Sequence, residues 1–192
     1  MPAPSTADFD RLRALCAIGD IDARPSRQIY EIFTGKELTT IPVGTAEDVT
    51  AAFEAARAAQ RAWAARPVRE RAAIMERFRS LVIAHRDFLM DVAQAETGKA
   101  RAAAQEEILD MMLNARYYAR EANRLLSPKR VQGLLPGLVK TVVNHQPKGV
   151  IGVISPWNYP MALSISDSIP ALLAGNAVVV KPDSQTPYCT LA

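Results

Sequence analysis

Cysteine is scarce: Cys16 and Cys189 are the only two in 192 residues. Two thiols cannot build a disulfide framework, so a reducing, cytoplasmic setting is the expectation. Cys and His nowhere fall at zinc-ligand spacing, and no metal site is expected. Apolar runs all stop well short of the roughly 18 residues that a membrane span needs. The first twenty positions carry Asp8, Asp10, Arg11 and Arg13 instead of a basic start and an apolar stretch, so no secretory signal and no membrane partner are expected. Dense basic blocks are missing too. The 23 basic and 20 acidic residues leave a net charge of +3, and most Arg residues fall on helical stretches beside acidic neighbours. Solvated helix faces explain them better than a phosphate-binding stripe, so nucleic acid is not an expected partner. The Gly-x-Gly-x-x-Gly fingerprint of dinucleotide-binding folds is absent, since Gly149 and Gly152 flank the start of a strand and do not match it.

What is plentiful is alanine, 32 residues, within an apolar share of 49%. Alanine favours helix but buries little area, so the core must come from scattered Leu, Ile, Val, Met and Phe. There is enough of these to exclude a wholly disordered chain. The length suits one domain, or one domain with a helical arm. Charge divides the chain unevenly. Residues 134–192 hold only Lys140, Lys148, Asp167, Lys181 and Asp183, while the first 133 residues hold the other 38 charges. The expected organisation is therefore a helical arm with a short hairpin over 1–133, followed by a strand-rich, more deeply buried part over 134–192.

Periodicity fills in the elements. Phe9, Leu12 and Leu15 predict an amphipathic helix over 6–16. Ile29–Phe33 and Glu37–Val43 read as strands around Thr34-Gly35-Lys36, a hairpin. Thr45 with Asp48 three residues on has the form of a capping box for a helix through about 64. Pro67 opens the next helix, whose buried face is Val68, Ala72, Met75, Phe78 and Val82. A helix over 87–96 is closed by Gly98. A long helix over 101–126 shows a heptad-like seam of Ala104, Ile108, Met111, Ala115, Tyr118, Ala122 and Leu125. Packing inside one domain is a commoner use of such a seam than a coiled-coil partner. Leu138–Gln146 then reads as a strand. Gly149–Ser155, a helix over 161–174 and Ala177–Val180 make a βαβ unit of a parallel sheet. The fold class is thus α/β, with a βαβ unit of a parallel sheet.

Ligands of open parallel sheets gather at the carboxyl ends of strands. Two segments lie there: Ser155-Pro156-Trp157-Asn158-Tyr159-Pro160, and Lys181-Pro182-Asp183-Ser184. An ammonium, a neutral amide and a flat aromatic suit an anionic or polyhydroxyl ligand. The plainer alternative is turn chemistry, a packing Trp and a solvent-exposed strand terminus.

These segments carry a resemblance. QPKGVIGVISPWNYP followed by PALLAGNAVVVKPDSQTP, with Glu96-Thr97-Gly98-Lys99 upstream, resembles the aldehyde dehydrogenase superfamily over nearly the whole chain. Within it the likeness is to the NADP-dependent succinate-semialdehyde dehydrogenases, and it implies that the helices and hairpin form an arm and the βαβ unit the first part of an incomplete Rossmann-like parallel sheet. In that family a cysteine thiolate attacks the aldehyde, hydride passes from the hemithioacetal to the nicotinamide, and a glutamate activates water to release the acid. The resemblance implies that Asn158 donates its side-chain amide to the oxygen on which negative charge develops. It implies that Ile154, Ser155, Pro156, Trp157 and Asn158 line the cofactor groove with Lys181, Pro182, Asp183 and Ser184, and that Lys181 bonds the adenosine ribose or its phosphate. A small-molecule aldehyde is the expected partner, with succinate semialdehyde as a candidate, and a homo-oligomer is expected of a full-length form.

Two departures sharpen this. Family members that carry Arg eight residues after the motif Asn can pair a substrate carboxylate, but Ser166 stands there, followed by Asp167. Where many NAD-preferring members have Glu, this chain has Ser184. Neither the nucleophilic Cys nor the general-base Glu of the family is recognised in these residues. Cys189 and Cys16 read as packed thiols, and His85 and His145 as a helix-end and a strand-surface residue. The isolated chain is accordingly expected to be without turnover and, with the edge and faces of half an open sheet uncovered, poorly stable. A non-catalytic binding or assembly module derived from the family is the alternative. For the cofactor, NADP is expected over NAD, because Glu at position 184 would repel a 2′-phosphate while Ser can donate a hydrogen bond to it. Ser184→Glu in a full-length form should therefore lower the ratio of kcat/KM for NADP to that for NAD; an unchanged ratio would contradict the assignment.

Overall fold

A computed structural model of the protein describes residues 4–135 and 137–192. The first helix, α1 (Thr6–Arg13), begins in a capping box: the Ser5 side chain accepts from the Asp8 amide, and the Asp8 carboxylate accepts from the Ser5 amide at 3.0 Å. It buries Phe9 and Leu12. It ends at Arg13, three residues earlier than the periodicity predicts, and this leaves Leu15 exposed. Strands β1 (Ser26–Tyr30) and β2 (Glu37–Pro42) pair antiparallel, with an irregularity at Ile29/Tyr30. The hairpin is as expected but its first strand is shifted towards the amino terminus, so Ile32 and Phe33 belong to the connection.

Thr45 caps α2 (Ala46–Ala65) in the expected capping box with Asp48. The backbone amide of Thr45, with lesser help from Arg24, holds the Asp48 carboxyl below its ordinary range. Helices α3 (Val68–Ala84), α4 (Arg86–Thr97) and α5 (Arg101–Leu126) follow where the spacing places them. On α5 the residues Ala104, Ile108, Met111, Ala115 and Ala122 are buried, while Tyr118 and Leu125 are half-buried. The seam is covered within the chain, because α5 packs against α3, α4 and α6.

The predicted strand over 138–146 shrinks to β4 (Thr141–Val143). Its antiparallel partner is β3 (Lys129–Val131), a three-residue strand with two cations that no alternation announces. The βαβ unit is as expected: β5 (Val150–Ile154), α6 (Pro160–Leu173) and β6 (Ala177–Lys181), the strands parallel with Val150 opposite Ala177. A short helix, α7 (Pro187–Leu191), completes the described chain.

Polar side chains of the preceding helices hold both ends of this unit. At the carboxyl end of α6 and just beyond it, three backbone carbonyls accept from them: that of Leu172 from Trp63 Nε1 at 2.8 Å, that of Leu173 from Arg71 Nε at 3.0 Å and that of Gly175 from Gln60 Nε2 at 2.8 Å. A buried cation at that end also complements the helix dipole. The Asn176 side chain then ties α6 to β5, accepting from the Gly149 amide and donating to the Ala171 carbonyl, each at 2.9 Å.

The segment Glu96–Lys99 organises the junction of α4 with the rest. Glu96 is buried and its carboxylate accepts from the Tyr188 and Cys189 amides, at 3.0 and 2.6 Å, in the first turn of α7. Gly98 reverses the chain with φ of 69°, and a Cβ there would overlap Ile32 Cγ2. Burial raises the Glu96 pKa to about 7, with the two amide hydrogen bonds opposing the shift.

Two outcomes follow. Gly98→Ala should lower stability by about 1–3 kcal/mol, from the left-handed backbone and the overlap together; a melting temperature equal to that of the parent would contradict this. Glu96 binds its proton more tightly in the fold than in the unfolded chain, so its contribution is largest below pH 4.5 and is lost as pH rises through about 7. The difference in stability between the parent and Glu96→Gln, read from melts across that range, should fall with rising pH. A pH-independent difference would show that the carboxyl does not titrate in this window.

Candidate functional site

Strands β5 and β6 run parallel and end level with one another, Ile154 opposite Lys181. The Ser155 amide donates to the Lys181 carbonyl at 3.2 Å, so the pairing extends one residue past β5. This brings the two predicted segments to a single edge, where ligands of such sheets bind. Ile154 is 81% exposed and Trp157 54%, and Asn158, Lys181 and Ser184 are exposed as well. Pro156, Pro182 and Asp183 are half-buried. The Asp183 carboxylate accepts from the Gln185 amide at 2.9 Å and shapes the turn after β6. Ser155 is only 3% exposed and its Oγ has no hydrogen-bond partner among the described residues. An exposed apolar strip, a cation, a free hydroxyl and a buried oxygen in want of a partner fit a dinucleotide with its flat rings, ribose hydroxyls and phosphates.

The loop carrying Asn158 is anchored from outside the sheet. Lys99 Nζ donates to the Asn158 backbone carbonyl at 2.8 Å, lies 4.6 Å from the Tyr159 ring centroid, and forms an ion pair with Glu107. Glu107 is fully buried, and its other oxygen accepts from the Met161 and Ala162 amides at 2.9 and 3.1 Å, capping the amino end of α6. A carboxylate complements the positive end of the helix dipole there. Sequence reasoning gave neither residue a role. For Glu107 a signal existed: it lies on the same stripe as Ala104, Ile108 and Met111, where an unpaired carboxylate is costly. For Lys99, belonging to the Glu-Thr-Gly-Lys signature was the only hint.

Beside this loop lies a cavity of about 470 Å³ lined by Glu106, Asp110, Asn114, Tyr159, Ala162, Leu163 and Ser166. Tyr159 donates its hydroxyl to Glu106 Oε2 at 3.2 Å, and that bond raises the phenol's pKa above its ordinary value. Ser166 donates to Asp110 Oδ2 at 2.6 Å and accepts from Asn114 Nδ2 at 3.3 Å. The lining thus has two carboxylates and no cation.

The cysteines stand apart from this edge. Cys189 is buried in α7, where burial first and the Glu96 carboxylate second push its thiol well above the ordinary value. Cys16 packs against the core, and burial raises its pKa too. His85 sits between α3 and α4, and His145 is exposed just beyond β4. Among the described residues no cluster of three or more His, Cys, Asp or Glu could hold a metal ion, and no helix is long and apolar enough to cross a membrane.

Comparison with known proteins shows the family. Over all 192 residues the chain is 84% identical to a Mycolicibacterium smegmatis protein named "putative succinate-semialdehyde dehydrogenase" of the NADP(+) type. It is 69% identical to a protein of the same name from Mycobacterium tuberculosis strain H37Rv. The chain spans 37% of the length of each. Among solved structures, an NAD-dependent benzaldehyde dehydrogenase from Corynebacterium glutamicum superposes with a TM-score of 0.81 at 35% identity, over 90% of this chain and 37% of that one. The model of the aldehyde dehydrogenase family matches residues 22–192, and the chain belongs to that family.

Proposed function

We propose that this segment supplies the cofactor edge and the oxyanion donor of an NADP-dependent aldehyde dehydrogenase. The observation that carries the reading is the level ending of β5 and β6, which sets the Asn158 loop beside Lys181 on an edge suited to a dinucleotide. In this reading residues 1–133 are a helical arm that supports the start of the cofactor-binding sheet, residues 134–192. Trp157 and Ile154 offer the apolar strip, and Lys181 and Ser184 hold the ribose with its 2′-phosphate. Ser155, Pro156, Pro182 and Asp183 shape the groove between them. Bound on this edge, NADP would supply the hydride acceptor for the oxidation. Asn158 donates its amide to the aldehyde oxygen, a fixed neutral donor placed where charge grows only during reaction. The family's cysteine nucleophile and glutamate base are assigned to the remaining length of the relatives, since Cys16 and Cys189 pack against the core. By itself the segment is then inactive, and the complete enzyme is a cytoplasmic homo-oligomer.

For the substrate, the relatives' names favour succinate semialdehyde. The cavity that Tyr159 of the Asn158 loop lines favours a neutral aldehyde, because Ser166 is bonded to Asp110 and Glu106 adds a second carboxylate. Both points can be read in one completed enzyme, this segment joined to the remainder of the 84%-identical relative. Asn158→Ala should lower kcat about a hundred- to a thousandfold; a kcat within twofold of the parent would refute the oxyanion role. In the parent, higher kcat/KM for an uncharged aldehyde than for succinate semialdehyde would support the cavity reading, and the reverse order would support the relatives' names.

A further inference from the structure

We propose that Lys99 is a positioning residue for the oxyanion donor, acting through the backbone of Asn158; this rests on the oxyanion role assigned to Asn158 above. An oxyanion donor helps only if its amide is held where charge will appear, and a displacement of about 1 Å can cost about a hundredfold in rate. The Asn158 side chain is on an exposed loop between β5 and α6. Pro156 and Pro160 stiffen that loop, and the Asn158 carbonyl itself is held by Lys99. Its ammonium bonds the Asn158 carbonyl oxygen at 2.8 Å and faces the next residue's ring, so two successive loop residues are gripped by one group.

The grip is itself immobilised. The Lys99 amide donates to Thr97 Oγ1 at 3.2 Å, Thr97 Oγ1 donates to the Ala93 carbonyl at 2.5 Å, and Gly98 closes α4 just before. At its other end the Lys99 side chain is only 12% exposed and is paired with the fully buried Glu107. A lysine that merely solvated a helix end would have no such partners. The same Glu107 carboxylate caps α6 through Met161 and Ala162, so the beginning of that helix and the oxyanion loop share one anchor.

The test uses the completed enzyme described above. Lys99→Met alone strands a buried carboxylate and can unfold the protein. The informative variant is therefore Lys99→Met with Glu107→Gln, measured against the parent: the new amide oxygen still accepts from the α6 amides, and its NH2, which would meet the ammonium in Glu107→Gln alone, meets the methionine instead. The paired substitution should lower kcat about tenfold or more and leave KM for NADP unchanged. Lys99→Arg should recover most of the loss. The decisive readout is coupling to Asn158: in an Asn158→Ala background the paired substitution should cost nothing further. An unchanged kcat, a loss confined to KM for NADP, or a full additional loss in the Asn158→Ala background would each overturn the proposal. If Asn158→Ala itself costs nothing, the oxyanion reading fails and takes this proposal with it. If Asn158→Ala is costly and Lys99 is not, only the positioning role fails.

Discussion

The structure depends on how the two ends of α6 are satisfied. A helix leaves its first amides and last carbonyls without partners, and a buried helix end cannot turn to water for them. Here a fully buried carboxylate, Glu107, takes the amino-terminal amides, while Arg71 and Trp63 take the carboxyl-terminal carbonyls. Each charged partner has the sign that the helix dipole favours at its end. The crossover helix of the βαβ unit is thus held between α2, α3 and α5. Removing one member of the buried Lys99–Glu107 pair typically costs about 3–5 kcal/mol, because the other charge stays buried. The Glu96 carboxyl accepts from the first amides of α7. The short parallel sheet has only two strands among the described residues, and these polar joints supply orientation that a wider sheet would give by pairing alone.

The same joints reach the candidate site. Because α6 begins immediately after the Asn158 loop, whatever fixes its first turn also fixes where that loop starts to turn away from β5. Glu107 bonds the α6 amides and Lys99, and Lys99 bonds the Asn158 carbonyl. The tetrapeptide Glu96-Thr97-Gly98-Lys99 thereby gains a physical reading, residue by residue. Glu96 caps α7, Thr97 bonds back onto α4, Gly98 makes the left-handed turn, and Lys99 carries the connection to the loop. The family signature therefore reads as a fastening between the helices and the sheet edge.

Much of this was legible beforehand, for identifiable reasons. Helices α2 to α6 were readable because caps and a regular apolar stripe agree at Thr45, Pro67 and Gly98. The βαβ unit showed itself because β5 and β6 are nearly free of charge. What was hidden depended on pairing that periodicity does not encode. β3 is a three-residue strand with two cations, and it exists through its match with Thr141–Val143. Leu15 fits the helical period but lies beyond the point where α1 stops. At the site, the exposed members were found from their place at strand ends. The buried ions were missed because Lys99 lies 8 residues from Glu107 and 59 from Asn158 along the chain, and the three meet only in the fold.

Glu107 and Lys99 together hold the start of α6 and the loop before it as one unit. Amide hydrogen exchange in the completed enzyme tests this most directly, comparing the parent with Glu107→Ala over residues 155–162. Exchange should be faster at Met161 and Ala162 and along the Asn158 loop, while α3, packed chiefly on α5, keeps its protection. Unchanged protection over 155–162 in a folded Glu107→Ala protein would contradict it.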